Sequence, residues 1–196
     1  LRDNTTGSNN VSMGVNAALT STGSQNVAIG NNTFRGTSNS GSNSTAIGYN
    51  SLNANTTGGQ NTAVGTNSLD ANTTGGNNTA VGYQAMTDNT GGGLNAALGR
   101  EALFKNTTGN QNTACGTYTL YENLTGIENT AVGYVALEKN TASYNTAVGS
   151  RSLDVNTTGA SNVALGYQSL TSNTTASNNT ALGYGAMAAN TTGTAN

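Results

Sequence analysis

The sequence contains no histidine, no tryptophan and no proline, and only 7% of its 196 residues are charged. Without histidine, and without clustered acids or thiolates, the side chains that usually perform acid–base catalysis or bind zinc are missing. The many glycines are not followed by the Lys-Ser/Thr pair of a phosphate-binding loop. We therefore expect no enzyme activity, no catalytic residues, no cofactor and no dedicated metal site.

Charge and apolar runs are equally scarce. The formal net charge is -2 and the few basic residues never cluster, so the sequence predicts no nucleic-acid partner. No apolar run approaches the roughly 18 residues of a membrane-spanning segment, so no membrane contact is expected within this stretch. The single cysteine, Cys115, excludes an internal disulfide.

What the sequence has in abundance is one short repeat. The phrase Ala-Val-Gly, or a close variant, recurs at intervals of 16 to 18 residues, mostly 17, and a fixed short period is typical of a solenoid. We interpret residues 1–196 as a single repetitive segment. Because both ends fall inside the repeat, we expect a fragment of a longer array. The repeat glycines are Gly14, Gly30, Gly48, Gly65, Gly82, Gly99, Gly116, Gly133, Gly149, Gly166 and Gly183.

Two columns of equivalent repeat positions carry large apolar residues, and we predict that both form the core. The pre-glycine column stands immediately before the glycine, and the second apolar column stands four residues after it. Cys115 occupies the pre-glycine column, so its thiol is expected to be buried. The pre-glycine column includes Ile29, Ile47, Val64, Val81, Leu98, Cys115, Val132, Val148, Leu165 and Leu182, and the second includes Leu52, Leu69, Met86, Leu103, Leu120, Leu137, Leu153 and Leu170.

Two further columns hold small or amide residues. Alanine stands two before the glycine in nearly every copy, which indicates close approach of backbones and a tight seam between chains. Asparagine stands four before the glycine, where stacked copies would form a ladder of side-chain amide hydrogen bonds. The expected ladder comprises Asn26, Asn61, Asn78, Asn95, Asn112, Asn129, Asn145, Asn162 and Asn179.

Strands explain the repeat better than helices do. Gly, Asn and Thr are poor helix formers, and the Asn-Thr-Thr-Gly phrase recurs before an amphipathic pattern could complete three helical turns. The phrase "NTAVG" alternates with period two, as a strand does, "YQAL" is expected to form a second short strand, and "NTTGG" supplies turn residues. The sequence therefore predicts an all-β parallel β-solenoid (β-roll) of about eleven 17-residue coils stacked at roughly 4.8 Å.

A thin core favours association. With only about two large apolar side chains per coil, burial within one chain cannot offset the entropy of ordering the coil. We therefore expect a homo-oligomer, or else an end-to-end filament built on the open strand edges at the ends of the stack.

The phrases "NVAIGNNTF" from Asn26, "STAIGYNSL" from Ser44 and "NTAVGYQAM" from Asn78 resemble the head repeats of YadA-type trimeric autotransporter adhesins. They are also similar to Asn-Thr-Gly repeats of phage tail fibres. The matching positions are Val27, Ala28, Ile29 and Gly30 with their counterparts. The resemblance implies a left-handed roll, three chains side by side, and an extracellular place on a cell surface or virion.

The expected function is a non-enzymatic structural or adhesive shaft or head of an extracellular fibre. The alternatives are a self-assembling extracellular filament subunit and an ice-binding solenoid with ranked threonines. The Thr column three before the glycine is in phase with the pre-glycine column and is expected to face inward, which counts against ice binding. A stripe after the glycine could contact a cell-surface or glycan receptor, or could pack as an aromatic ladder: Tyr49, Tyr83, Tyr134, Tyr167 and Tyr184.

Overall fold

The fold, seen in a computed structural model, is described for residue 4 and for residues 6–195. It contains eleven three-residue strands, each directly preceding a repeat glycine. The described part of the chain offers no long apolar helix of the kind that crosses a bilayer. The strands are β1 (Val11–Met13), β2 (Val27–Ile29), β3 (Thr45–Ile47), β4 (Thr62–Val64), β5 (Thr79–Val81), β6 (Ala96–Leu98), β7 (Thr113–Cys115), β8 (Thr130–Val132), β9 (Thr146–Val148), β10 (Val163–Leu165) and β11 (Thr180–Leu182).

All strands join one parallel sheet in sequence order, β1 to β11. The register places like positions on each other, so that Ala80 of β5 pairs with Ala63 of β4 and with Ala97 of β6. Register is kept even across the longest coil, where Ala28 pairs with Ala46. Length variation is therefore absorbed outside the strands, and the predicted all-β, parallel β-solenoid of about 17-residue coils is confirmed.

The segment after each glycine is a series of turns, so the predicted second strand over "YQAL" is wrong. Gln84 and Met86 have φ values of 55° and 53°, in the left-handed region rather than the extended region. Their amides still bond to neighbouring coils: the Gln84 N–H donates to the Thr66 carbonyl at 2.9 Å, and the Met86 N–H to the Ala102 carbonyl at 3.0 Å. The chain can therefore turn without losing its coil-to-coil hydrogen bonds.

The repeat glycine is required by both conformation and space. Gly82 has a φ of 143°, which L side chains rarely adopt, and a Cβ there would lie 2.4 Å from the Gly99 carbonyl oxygen of the next coil. The last glycine, Gly183, has a φ of 119° but nothing within 4 Å of a Cβ position. Close stacking of coils, in addition to the turn itself, therefore keeps this column glycine.

The interior of each coil is narrow. The Ala column lies on the inner side of the strand and is fully buried, so the expectation that it forms a seam between chains is wrong. Opposite it lies the second apolar column, whose burial is confirmed. An alanine from the strand and one large side chain from the turn segment fill the space between these two sides of the coil. A larger residue at either place would therefore overpack it. Residues with no exposed surface in the second column are Leu52, Leu69, Met86, Leu103, Leu120, Leu137, Leu153 and Leu170.

The pre-glycine column does not belong to this interior, and its assignment to the core is wrong for the single chain. Because side chains alternate along a strand, burial of the central alanine forces both neighbours outward. Leu98 is 44% exposed and Leu182 77% exposed, and Cys115 is an exposed free thiol. The outward members are Ile29, Ile47, Val64, Val81, Leu98, Cys115, Val132, Val148, Leu165 and Leu182.

The predicted Asn ladder is present and buried, but its main bond differs from the simple amide stack expected. The Asn78 backbone N–H donates to Asn61 Oδ1 at 2.9 Å, while Asn78 Nδ2 donates to the Gly92 carbonyl at 2.8 Å. The Asn95 backbone N–H continues the series to Asn78 Oδ1 at 3.0 Å. Asn78 thus bridges both neighbours, because its backbone N–H bonds to the coil before and its side-chain amide bonds to the coil after. Buried members are Asn26, Asn61, Asn78, Asn95, Asn112, Asn129, Asn145, Asn162 and Asn179.

A second Asn ladder, formed by the asparagine seven residues after the repeat glycine, which in most copies begins an Asn-Thr-Thr phrase, is the direct side-chain stack. Asn72 Nδ2 donates to Asn55 Oδ1 at 2.9 Å, and Asn89 Nδ2 donates to Asn72 Oδ1 at 2.8 Å. The ladder is interrupted at the short coil that follows β8, where Asn140 donates to the Ala142 carbonyl and Asn123 Oδ1 has no partner. Residues assigned from sequence to turns are therefore also buried polar core.

Candidate functional site

The outer side of the sheet, which we call the strand face, is a regular two-column array. One column is pre-glycine, and the other stands three before the glycine. Both follow the strand register, so neighbouring side chains in a column repeat at roughly 4.8 Å. In β4 and β5 the pairs are Thr62 with Val64 and Thr79 with Val81. The column three before the glycine is mainly Thr, namely Thr45, Thr62, Thr79, Thr113, Thr130, Thr146 and Thr180.

The strand face combines hydroxyl and aliphatic groups in contact with solvent. Its threonines are half-buried or exposed, so the expectation that they face inward is wrong. By contrast, threonines of the Asn-Thr-Thr phrases use their hydroxyls between coils: Thr73 Oγ1 donates to the Thr90 carbonyl at 2.9 Å. The strand face is thus an ordered array of half-buried and exposed threonines in strand register.

A second surface lies on the turns and is built from the positions two and five residues after the glycine. We call its wider part, on the coils of β6 to β9, the turn groove. It encloses about 550 Å³. In regular coils the same positions carry small polar residues, such as Asn50 and Asn53 after β3. The groove is lined by Glu101, Tyr118, Tyr121, Tyr134, Val135, Glu138, Arg151 and Asp154.

Aromatic rings form the apolar part of the turn groove. Phe104 stacks on Tyr121 with ring centroids 5.1 Å apart. Tyr118 stands edge-on to both Tyr121 and Tyr134, at 5.8 and 6.5 Å and an interplanar angle of 71° in each case. Such edge-to-face packing fixes the rings against each other and leaves part of their surface open to the groove.

Cations of the chain itself lie against these rings. Arg100 Cζ is 5.5 Å from the Tyr118 ring centroid and Lys105 Nζ is 5.3 Å from that of Tyr121. Arg100 Nε also donates to Glu101 Oε1 at 2.9 Å, a bond that raises the pKa of the guanidinium, and Lys105 pairs with Glu122. These are the only ion pairs among the described residues, so Glu138, Arg151 and Asp154 are not neutralised by direct salt bridges.

The predicted tyrosine stripe is exposed but is not one continuous ladder. Tyr167 and Tyr184 stack at 5.3 Å, Tyr83 lies under Arg100 at 5.8 Å, and Tyr134 borders the turn groove. Tyr49 is exposed with no ring contact. The structure thus brings one predicted tyrosine, Tyr134, into a shaped site and leaves the others on the open surface.

Tyr134 is the groove residue that the repeat columns predicted, and the aromatic residues that they missed are Tyr118 and Tyr121, because neither stands directly after the glycine. A signal for them was available: most charged residues of the chain lie between Arg100 and Asp154, which marks this stretch as a departure from the repeat. No group of three or more His, Cys, Asp or Glu side chains suited to a metal ion occurs in the described structure.

The fold and these surfaces define the chain as a parallel β-solenoid with a flat strand face and a local aromatic groove. Comparison with protein-family models, curated proteins and solved structures finds no match.

Proposed function

We propose that the chain is a structural and adhesive shaft or head segment of an extracellular fibre, in which several copies associate through their strand faces. The observation that supports this most is the unbroken outward column of Met, Val, Ile, Leu and Cys along all eleven strands. Continuous exposed apolar surface in an otherwise polar chain is typical of an interaction face.

The regular register suits association of identical chains about an axis parallel to the rod. Under such symmetry each residue of the column meets its own equivalents, so that Val81 packs on Val81 of the neighbouring copies. Three chains is the number that the likeness to trimeric adhesin heads favours, and the same likeness supports a place on a cell surface or virion. The turn groove and the tyrosines would then lie on the outside, free for attachment.

The test is the mass of the protein in solution before and after a charge is placed on the strand face. Val81 is outward and half-buried, so Val81→Asp should leave the coil intact but bring like charges together at the interface. We expect analytical ultracentrifugation to give a closed oligomer for the native chain and at least about a tenfold weaker association for the variant.

The matched control is Thr74→Asp, which adds the same charge on an exposed loop position away from the strand face. It should keep the native mass. A native chain that stays monomeric at high concentration would contradict the proposal, and a mass that grows without limit would favour the end-to-end filament instead.

Cys115 provides an independent reporter of the same interface. As an exposed thiol at the middle of the strand face it should react readily with a maleimide in a monomer. In the proposed oligomer it should be protected until the chain dissociates, and mild oxidation should join copies through this residue. Equal labelling rates in native and Val81→Asp protein would contradict burial of the strand face.

Ice binding is the second candidate. The sequence counted against it because the threonines were expected to face inward, but the threonines of the strand face point outward in fixed register. A flat array of hydroxyl and methyl groups at constant spacing is what an ice plane would contact. The two candidates need the same face, so they exclude each other. A monomer that shows thermal hysteresis, lost in Thr79→Lys, would establish ice binding; an oligomer without hysteresis would exclude it.

A further inference from the structure

The turn groove is placed where the chain departs most from its own repeat. In the coils of β3 and β4 the position two after the glycine is Asn50 or Asn67, and in the coils of β7 and β8 it is Tyr118 or Val135. The buried Ala and Leu columns of these coils are the same. Packing within the solenoid therefore does not require the large groove residues.

The departure is unfavourable for the backbone. Val135 has a φ of 51° and Tyr118 a φ of 57°, in the left-handed region that asparagine and glycine tolerate and a β-branched side chain strongly disfavours. Strained residues of this kind persist where the surrounding structure holds them, and they concentrate at binding sites. Asparagine at the same position, as in the regular coils, would remove the strain and also the groove.

The groups in the groove match a hydroxyl-rich ligand. Tyr118, Tyr121 and Tyr134 supply aromatic surface with a phenolic hydroxyl at the edge. Glu138 and Asp154 offer acceptor oxygens, with Asp154 Oδ1 already taking a bond from Thr171 Oγ1 at 2.9 Å, and Arg151 offers donors. A sugar presents C–H faces to stack on rings and hydroxyls that both donate and accept.

The groove carries charges of both signs and so favours no ionic ligand strongly. The carboxylates of Glu138 and Asp154 would repel an anionic ligand, and Arg151, with Arg100 and Lys105 beside the rings, would repel a cationic one. The groove also spans four coils, a length of about 14 Å at roughly 4.8 Å per step, which suits a short oligosaccharide better than a single sugar.

We propose that the turn groove binds a neutral oligosaccharide, stacked on Tyr118 and Tyr121 and hydrogen-bonded by Glu138, Arg151 and Asp154. This rests on the proposed adhesive function and gives its receptor a chemical class.

The experiment titrates the purified chain with neutral tetrasaccharides: cellotetraose, maltotetraose, mannotetraose and N-acetylated chitotetraose. A tetragalacturonate and a glucosamine tetramer serve as anionic and cationic probes. Saturation-transfer NMR and calorimetry should detect at least one neutral probe with a Kd of about 1 mM or tighter. Tyr121→Ala should weaken it about tenfold or more, whereas Tyr167→Ala, an exposed tyrosine outside the groove, should not.

Glu138→Gln is the conservative second variant, since it keeps size and removes an acceptor charge at the surface. It should weaken binding several-fold with an unchanged melting temperature, and it decides the matter if Tyr121→Ala does not fold. The proposal is overturned if no neutral probe binds at about 10 mM, if a charged probe binds more tightly, or if neither groove variant alters affinity. The mass of the protein is read separately, so a failure here with the oligomer intact leaves the fibre proposal standing.

Discussion

The coils of β4 and β5 and the coils of β7 and β8 share one interior but differ outside. Leu69 and Met86 are fully buried in the first pair, as Leu120 and Leu137 are in the second. Outside, small polar side chains at the turn positions give way to Tyr, Val and Glu. The difference teaches that the inward columns and the two Asn ladders specify the stacking, while the outward columns can be changed to build a site at a chosen height along the rod.

Substitution of a repeat glycine, which both regions share, should lower the free energy of unfolding more than any other change considered below. In Gly82→Ala a Cβ would meet the carbonyl of Gly99 at 2.4 Å in addition to the backbone strain at a φ of 143°. We expect a loss of more than about 4 kcal/mol in the free energy of unfolding, because neither coil can shift without breaking register. Urea denaturation followed by circular dichroism measures it.

Gly183→Ala separates the two causes, since its φ of 119° brings similar strain but no atom lies within 4 Å of the new Cβ. It should cost only about 1–3 kcal/mol. Equal losses in both variants would mean that backbone conformation alone, and not coil contact, keeps the column glycine.

A substitution in the second Asn ladder should cause the next largest loss of stability. Asn89→Ala removes the bond to Asn72 Oδ1 at 2.8 Å and the acceptor that Asn106 Nδ2 uses at 2.8 Å, leaving buried polar atoms without those partners. We expect a loss of about 2–4 kcal/mol. The control, Asn110→Ala, deletes an exposed asparagine that accepts one bond from the Gly93 N–H and donates one to the Thr108 carbonyl, both at the surface, and should cost about 1 kcal/mol or less. A control variant as unstable as Asn89→Ala would argue against a special role of the ladder.

The smallest effect concerns Asp70, a partly buried carboxylate in a regular coil. Burial raises its pKa above the ordinary 3.8, and a hydrogen bond from the Asn53 side chain lowers it in part. The folded state therefore binds the proton more tightly than the unfolded state does, and this residue's contribution to stability falls as pH rises from 3.8 through the raised value.

Asp70→Asn should consequently increase the melting temperature slightly at pH 7 and have no such advantage well below pH 3.8, where Asp70 is protonated in both the folded and the unfolded state. Differential scanning calorimetry of the two proteins across this interval measures the difference. A variant that is less stable than the native chain at pH 7 would show that the carboxylate, as a charge, stabilises the coil.

The period of the repeat was enough to predict the fold, because every coil repeats the same stacking problem. The side of the strand that faces inward was not predictable from hydrophobicity alone. Val81 is more apolar than Ala80, yet Ala80 is buried and Val81 faces outward. In so narrow an interior, the size of the side chain decides which one faces inward. The turn after the glycine was mistaken for a strand because Met86 and Leu120 are unusual residues for left-handed backbone.

Of the two surface features, one was predictable from the sequence and the other was not. The outward tyrosine stripe was predictable, because all its members share one repeat position. The turn groove joins residues from positions two and five after the glycine, which meet only once the turns are formed. Tyr118, Glu138 and Asp154 therefore could be placed together only in three dimensions.

The second Asn ladder also bears on how the protein is made. Asn55, Asn72 and Asn106 each begin an Asn-Thr-Thr triplet, the acceptor sequence for N-linked glycans, and each is completely buried. A glycan attached to a nascent chain would occupy the place of the next coil, so modification and folding would compete at many steps of the stack. Expression in a host that lacks this modification removes the competition.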